Sequence, residues 1–206
     1  MSEARGHWML PNARHLLSSY RPKQLIIRFA EEYLWWLIRG LPGFEGVFLR
    51  YLFLKATTKR LAGFCWIGPG CTLSHSYNLS IGSGFTTTRN VLIEAYGGVT
   101  IGDNCSIGAN TVILSREHST MSRTQAYTDP ASHRVKPVVL GNDVWVASNC
   151  FVKAGVTLGD GAVVGACSAV FTNVAPGARM LGVPAISWFE AMRAALPKPT
   201  RRPPAL

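Results

Sequence analysis

Acidic residues are scarce in this chain: 11 Asp and Glu stand against 21 Lys and Arg among 206 residues. No run of 18 uncharged apolar residues occurs either, so no segment is expected to cross a bilayer as a helix. Met1 to Tyr20 lacks the apolar core of a secretory leader, and no signal peptide is expected. The five cysteines, Cys65, Cys71, Cys105, Cys150 and Cys167, form no C-x-x-C pair and no ordered spacing with histidine. That argues against a metal centre and against a disulfide framework, and a reducing cytoplasm suits free thiols. The positive charge comes without any nucleic-acid-binding motif. Helix formers are sparse through the middle of the chain, where Gly, Val and Asn are plentiful.

What the middle does have is a rhythm of six. Leu140, Val146, Val152, Leu158, Val164 and Val170 follow one another at that interval without a miss. Neither the helical period of 3.6 nor the strand period of two produces it. A fixed hexad predicts a parallel β-helix, each hexad giving one short strand and its turn. The residue after the aliphatic is often small (Gly141, Ala147, Gly159, Gly165), as a tight bend requires. The residue four places on is small or β-branched: Val144, Cys150, Val156, Ala162, Ser168, Val174. Both sets are expected to point into a narrow prism, where Cys71, Cys105 and Cys150 serve as small hydrophobes. Ile67, Leu73, Ile81, Ile93, Ile101, Ile107 and Ile113 extend the pattern backwards less cleanly. Thr87 replaces one aliphatic, and a two-residue slip between Val99 and Ile101 predicts a bulge or corner loop there. The prism is expected over residues 63–186, its coils about 4.8 Å apart.

Charge is uneven along the chain. Residues 1–62 carry ten Lys and Arg against four acids, residues 63–186 seven against six, and residues 187–206 four against one. The first segment is thus both basic and apolar; the last reads as a short helix with a basic, Pro-rich tail. Within residues 22–61, two helices are expected around the break Gly40-Leu41-Pro42-Gly43. Two readings stay open for them: an interfacial anchor with Trp, Phe and Leu in the acyl boundary and cations on headgroups, or a cap over the strand edges at the open end of the prism.

The hexads stop after Ile113 and resume at Leu140, an interval that is not a multiple of six. Residues 115–138 must therefore leave the prism as one long loop, and loops of that length usually carry function or are disordered. His118 lies at its root. From the residues alone it is either a general base or an ordinary surface histidine. Glu117, next to it, would point to the other side of a strand and is no obvious partner for the imidazole.

Val99 to Asn104 (VTIGDN), His118, Lys136 to Trp145 (KPVVLGNDVW), Gly155 to Asp160 (GVTLGD) and Gly182 to Ala185 (GVPA) together resemble the hexapeptide-repeat acyltransferases. The likeness is to the galactoside and maltose acetyltransferase branch and its polysaccharide O-acetyltransferase relatives. It implies a left-handed β-helix, an exception to the usual right-handed crossover, and a homotrimer with active sites between subunits. It implies acetyl-CoA as co-substrate and His118 as catalytic base. Asn90 matches the family's acceptor-binding asparagine, although a turn-forming asparagine is the plain alternative. Trp145 matches the tryptophan lining the donor groove. Ala147, Ser148 and Ala166 match positions whose backbone meets the thioester end and pantetheine arm.

The chain departs from that pattern in places. Ala95 stands where an acidic residue often holds the acceptor sugar, with Glu94 just before it as a substitute. Thr172, Asn173 and Ile186 replace basic residues that meet the coenzyme's phosphates, leaving Lys198, Arg201 and Arg202 as alternatives. His75 and His133 raise the metal-binding β-helices as a comparison, but the close histidine pair expected after His118 is missing, so no metal is expected. The function expected is acetyl transfer from acetyl-CoA to a sugar hydroxyl, in surface polysaccharide or glycolipid assembly at the inner face of a membrane. The alternatives are a soluble small-molecule acceptor, such as a free sugar or an antibiotic, and a non-catalytic scaffold.

Overall fold

The computed structural model of the protein describes residues 20–118 and 133–195. Their short strands wind into a three-sided, left-handed parallel β-helix. One face stacks β1 (Arg60–Leu61), β3 (Leu79–Ile81), β6 (Val99–Ile101), β11 (Val138–Leu140) and β14 (Thr157–Leu158). The second stacks β4 (Thr86–Thr87), β7 (Ser106–Ile107), β12 (Trp145–Val146), β15 (Val163–Val164) and β17 (Arg179–Leu181), closed by the antiparallel β18 (Ile186–Ser187). The third stacks β2 (Thr72–Ser74), β5 (Leu92–Glu94), β8 (Val112–Leu114), β13 (Phe151–Val152) and β16 (Ala169–Val170).

The hexad aliphatics fill the interior. Leu140, Val146, Val152, Leu158, Val164 and Val170 are each at most 1% exposed. Val144, Cys150, Val156, Ala162, Ser168 and Val174 are buried beside them. Each such Val or Leu side chain contributes about 1.5–3 kcal/mol on leaving water. Thr87 also points inward, at 3% exposure, and its hydroxyl is used: Oγ1 accepts the Gly68 N–H at 3.1 Å and lies 3.4 Å from Cys71 Sγ.

The bulge expected between Val99 and Ile101 does not occur. Both are inward residues of one regular strand, at most 2% exposed. The surplus lies just before them, in the corner between the third and first faces at residues 95–98. One coil below, the same corner holds a 3-10 turn, Ser76–Asn78. Consequently Thr72 pairs with Leu92 and Leu92 with Val112, each coil two positions longer than three hexads, whereas Trp145 pairs with Val163, three hexads on. On the third visit the corner opens into an antiparallel hairpin, β9 (Arg116–His118) and β10 (His133–Val135), with His118 opposite His133. The tip of this hairpin, 119–132, lies outside the described residues.

The other two corners repeat one conformation up the stack. Asn90, Asn110 and Asn149 all have φ between 57° and 59°, and their amides are laddered: Asn90 Nδ2 donates to Asn110 Oδ1 and Asn110 Nδ2 to Asn149 Oδ1. Asn104 and Asp143 form the matching pair at the next corner. A left-handed turn favours asparagine and aspartate, whose short side chains bond locally.

The N-terminal helices, α1 (Pro22–Ala30), a π-helical turn (Glu31–Trp35), α2 (Trp36–Arg39) and α3 (Gly43–Thr57), cover the first coil. Ile27, Glu31 and Trp35, four apart, form the buried row, and Trp35 Nε1 donates to Cys71 O at 3.0 Å. Arg50 is fully buried: Nε donates to Ile67 O, and Nη1 to Leu41 O and Ile38 O. Those carbonyls hold the guanidinium in place of water, and they tie α2, α3 and the prism together. The helices do cap the prism, and they also leave an apolar outer face uncovered. Arg60–Leu61 already pairs with β3, so the sheet begins inside the segment read from the sequence as the helical extension. A last helix, α4 (Trp188–Ala195), follows β18.

Candidate active site

The corner that takes up the surplus residues also gathers the titratable groups. In the first coil His75 has φ 59° and is buried. Its Nδ1 lies 3.3 Å from Glu94 Oε1 of the coil above, and its backbone N–H donates to Glu31 Oε2 at 3.0 Å. Glu31 Oε1 takes the neighbouring Ser76 N–H at 2.6 Å, so one buried carboxylate shapes the turn. Tyr20, Tyr77 and Tyr96 surround the imidazole with centroids 6.5, 5.9 and 5.2 Å away. In the third coil Arg116 lies over Tyr96, 4.6 Å from its ring centre. Glu117, one residue on, pairs with Lys153 of the next coil at 3.6 Å.

Burial pushes the Glu94 carboxyl up, but His75, Arg116 and the Tyr96 N–H outweigh it, and the group titrates below the ordinary carboxylate range. Burial above all holds the Tyr77 phenol well above its usual range, and Tyr20 and Glu31 add to the effect. Glu94 is therefore held by the corner rather than displayed on a surface.

His118 ends β9, two residues beyond Arg116, at the mouth of this corner. Its side chain, and that of His133, lie outside the described residues. So do Lys198, Arg201 and Arg202. Glu117 itself is taken up by Lys153.

Asn90 sits elsewhere. It occupies the corner between the second and third faces, exposed, in the asparagine ladder, as the turn reading expects. Ala147, Ser148 and Ala166 lie at that same corner higher up, where Ser148 Oγ accepts the Ala109 N–H at 3.1 Å. In one chain Asn90 and His118 thus flank opposite edges of the third face.

Of the four residues that the resemblance assigns to the acyl donor, three share one cavity, and Ser148 is not part of its lining. Trp145, Ala147 and Ala166 line a cavity of about 540 Å³ against the second face, with Arg179, Met180 and Trp188. Trp145 is 54% exposed, its indole available as a wall. Nothing in the hexad pattern points to Arg179 or Trp188. The hexads lose step beyond Val170, because Val163 pairs with Arg179, two positions short of three hexads. The cavity is apolar apart from one guanidinium, which suits a long flexible arm that ends in phosphate.

Two family models match the chain: bacterial transferase hexapeptide (six repeats) over residues 137–172, and the hexapeptide repeat of succinyl-transferase over residues 90–115. Galactoside O-acetyltransferase of Escherichia coli K12 is 33% identical over 119 residues, 58% of this chain and 57% of that protein. A putative colanic acid biosynthesis acetyltransferase of the same organism is 32% identical over 58% of this chain and 63% of its own length. Nodulation protein L of Rhizobium meliloti is 34% identical over 58% of this chain and 67% of its own. The chain spans 57% and 63% of the lengths of the first two. A hexapeptide-repeat-containing acetyltransferase of Vibrio cholerae O1 biovar eltor, solved with acetyl coenzyme A, superimposes with a TM-score of 0.71. It is 26% identical, and the match covers 79% of this chain and 86% of that one.

Proposed function

We propose, from the premise that this chain belongs to the hexapeptide-repeat transferases, that it moves an acetyl group from acetyl-CoA to a sugar hydroxyl. The observation that carries the reading is the cavity that unites Trp145, Ala147 and Ala166 with Arg179. Trp145 and Trp188 would flank the pantetheine arm, backbone groups near Ala147, Ser148 and Ala166 would hold the thioester end, and Arg179 would meet a phosphate. The last assignment supplies a cation that Thr172, Asn173 and Ile186 do not.

His118 is the proposed base. As the sugar oxygen attacks the acetyl carbon, His118 takes the hydroxyl proton, a contribution of about 10²–10⁴-fold. The carbon–sulfur bond breaks, and the same proton passes to the departing thiolate. A backbone N–H near Ser148 would stabilise the charge developing on the acetyl oxygen, worth about 3–4 kcal/mol. A homotrimer would bring the Asn90 corner of one subunit toward the His118 corner of the next, since within one chain they lie apart.

The acceptor is read as a glycan of surface polysaccharide or glycolipid assembly, met by a protein held peripherally on a membrane. Two relatives whose names specify a galactoside and colanic acid biosynthesis support a sugar acceptor. The test is thiol release from acetyl-CoA over a panel of free and lipid-linked glycans. Turnover with a glycan is expected; acetyl-CoA binding without release over the whole panel would leave only a scaffold.

A further inference from the structure

The helical end of the prism presents two apolar stripes that nothing in the chain's described residues covers. On α1 and the turns after it, Ile26, Phe29, Trp36 and Leu37 are 71%, 66%, 66% and 64% exposed. They lie opposite the buried row Ile27, Glu31, Trp35. On α3, Phe44 and Phe48, one turn apart, are 77% and 55% exposed, while Val47, Arg50 and Leu54 are buried. At the N-terminal end of α1, on the side of Ile27, a cavity of about 330 Å³ opens between α1 and the end of α3. Arg21, Lys23 and Lys59 line it together with Thr57, Thr58 and Tyr77, and no carboxylate does. Of the acids in this half of the chain, Glu31 is buried and already paired with Arg28.

We propose that this end docks on an anionic phospholipid surface, the two stripes entering the acyl boundary and the Arg21–Lys23–Lys59 cavity taking one lipid phosphate. The occupant follows from the juxtaposition. Apolar stripes alone fit any hydrophobic partner. A cluster of three cations at the same helical end of the prism selects one that carries phosphate as well as hydrocarbon. No described helix is long and apolar enough to cross a membrane, so contact is confined to one interface. The proposal names the partner within the acetyltransferase reading, and it gives the corner a direction. Tyr77 lines the lipid cavity and touches His75, His75 touches Tyr96, and Tyr96 carries Arg116, two residues from His118. A glycan carried on a lipid would thus run up the corner, about 4.8 Å per coil, toward the proposed base.

Flotation of the full chain tests the docking without any need for activity. Vesicles of phosphatidylcholine mixed with phosphatidylglycerol should recover the protein, and phosphatidylcholine alone should recover little. High salt should weaken binding and leave a remainder held by the stripes. Phe29→Ser with Trp36→Ser should abolish recovery. Lys23→Glu with Lys59→Glu should weaken it more than tenfold, about fivefold or more per cation. Lys55→Glu with Arg60→Glu, the same charge change outside the cavity, should weaken it less. Thermal melts matching wild type would show that the variants fold. Equal loss in the two charge-reversal pairs would remove the phosphate cavity. Equal recovery on both vesicles, or self-association through the stripes in place of flotation, would overturn the proposal. Thiol release on a soluble glycan by a protein that does not float would sink the docking alone; flotation without release on any glycan would sink the enzymatic reading alone.

Discussion

The two halves of the prism differ in one respect. From Leu140 on, the first full coils take three hexads each, every hexad is intact and the corners are plain. Below that, the first coils are two positions longer and the last, which carries the hairpin, is 39 positions long, and the extra residues always enter at the same corner. The regular half builds a wall, and the cavity proposed for the acyl donor lies against it. The irregular half builds the corner that holds His75, Glu94 and Arg116 and sends out the hairpin that carries His118. A repeat can supply a flat face at any length. A reactive site requires residues that leave the repeat, and stacked coils keep those residues in one column.

The sharpest break in the comparison is His118→Ala. Turnover should fall at least about 100-fold, the lower bound for a general base, with unchanged unfolding because the residue is off the inward track. Steady-state thiol release under chemistry-limited conditions measures it. Near wild-type turnover would mean that the irregular corner does not hold the base.

The interiors of the two halves can be set against each other next. Leu158→Ala in the regular half should cost about 2–5 kcal/mol, as buried Leu truncations do. Thr87→Val in the irregular half makes the hexad ideal, yet it should cost about 1–3 kcal/mol by leaving the Gly68 N–H without its acceptor. Urea unfolding gives both values. A neutral or stabilising Thr87→Val would mean that the hexad rule alone governs the interior.

Much of this was legible in the sequence because a hexad is an unusually strict signal. The inward residues from Leu140 to Val170 needed nothing more. The excursion after Ile113 and the position of His118 at its root also followed from counting. The location of the surplus residues did not. Val99 and Ile101 read as a slip because both are aliphatic, and only their pairing with Leu79 and Ile81 shows one regular strand. The resemblance offers Glu94 as an acceptor contact; the structure adds His75 beside it, a neighbour through a coil-to-coil contact that no spacing along the chain reveals. Arg179 escapes the pattern because its coil falls two positions short of the hexad count.

Arg179→Ala tests the cavity that lies against the regular wall. Loss of a charge-assisted contact to phosphate is worth about 1.5–3 kcal/mol, so KM for acetyl-CoA should rise roughly 10- to 100-fold while kcat stays near wild type. A fall in kcat at constant KM would place Arg179 in the chemical step instead.

The smallest effect is expected at Glu94, and it separates the corner from the rest of the molecule by pH. Burial alone would raise the pKa of this carboxyl, but His75 and Arg116 reverse the sign, so it lies below its unfolded value of about 4.3. A depressed carboxyl stabilises the fold fully above its unfolded pKa and loses that contribution as pH falls through the folded pKa. Glu94→Gln should therefore be less stable than wild type at neutral pH, with the gap narrowing as pH drops from about 5 to about 3. Urea midpoints at closely spaced pH values read the gap. A gap that stays constant over that range would mean the variant suffers from altered packing, and that the charges stacked at this corner do not hold it together.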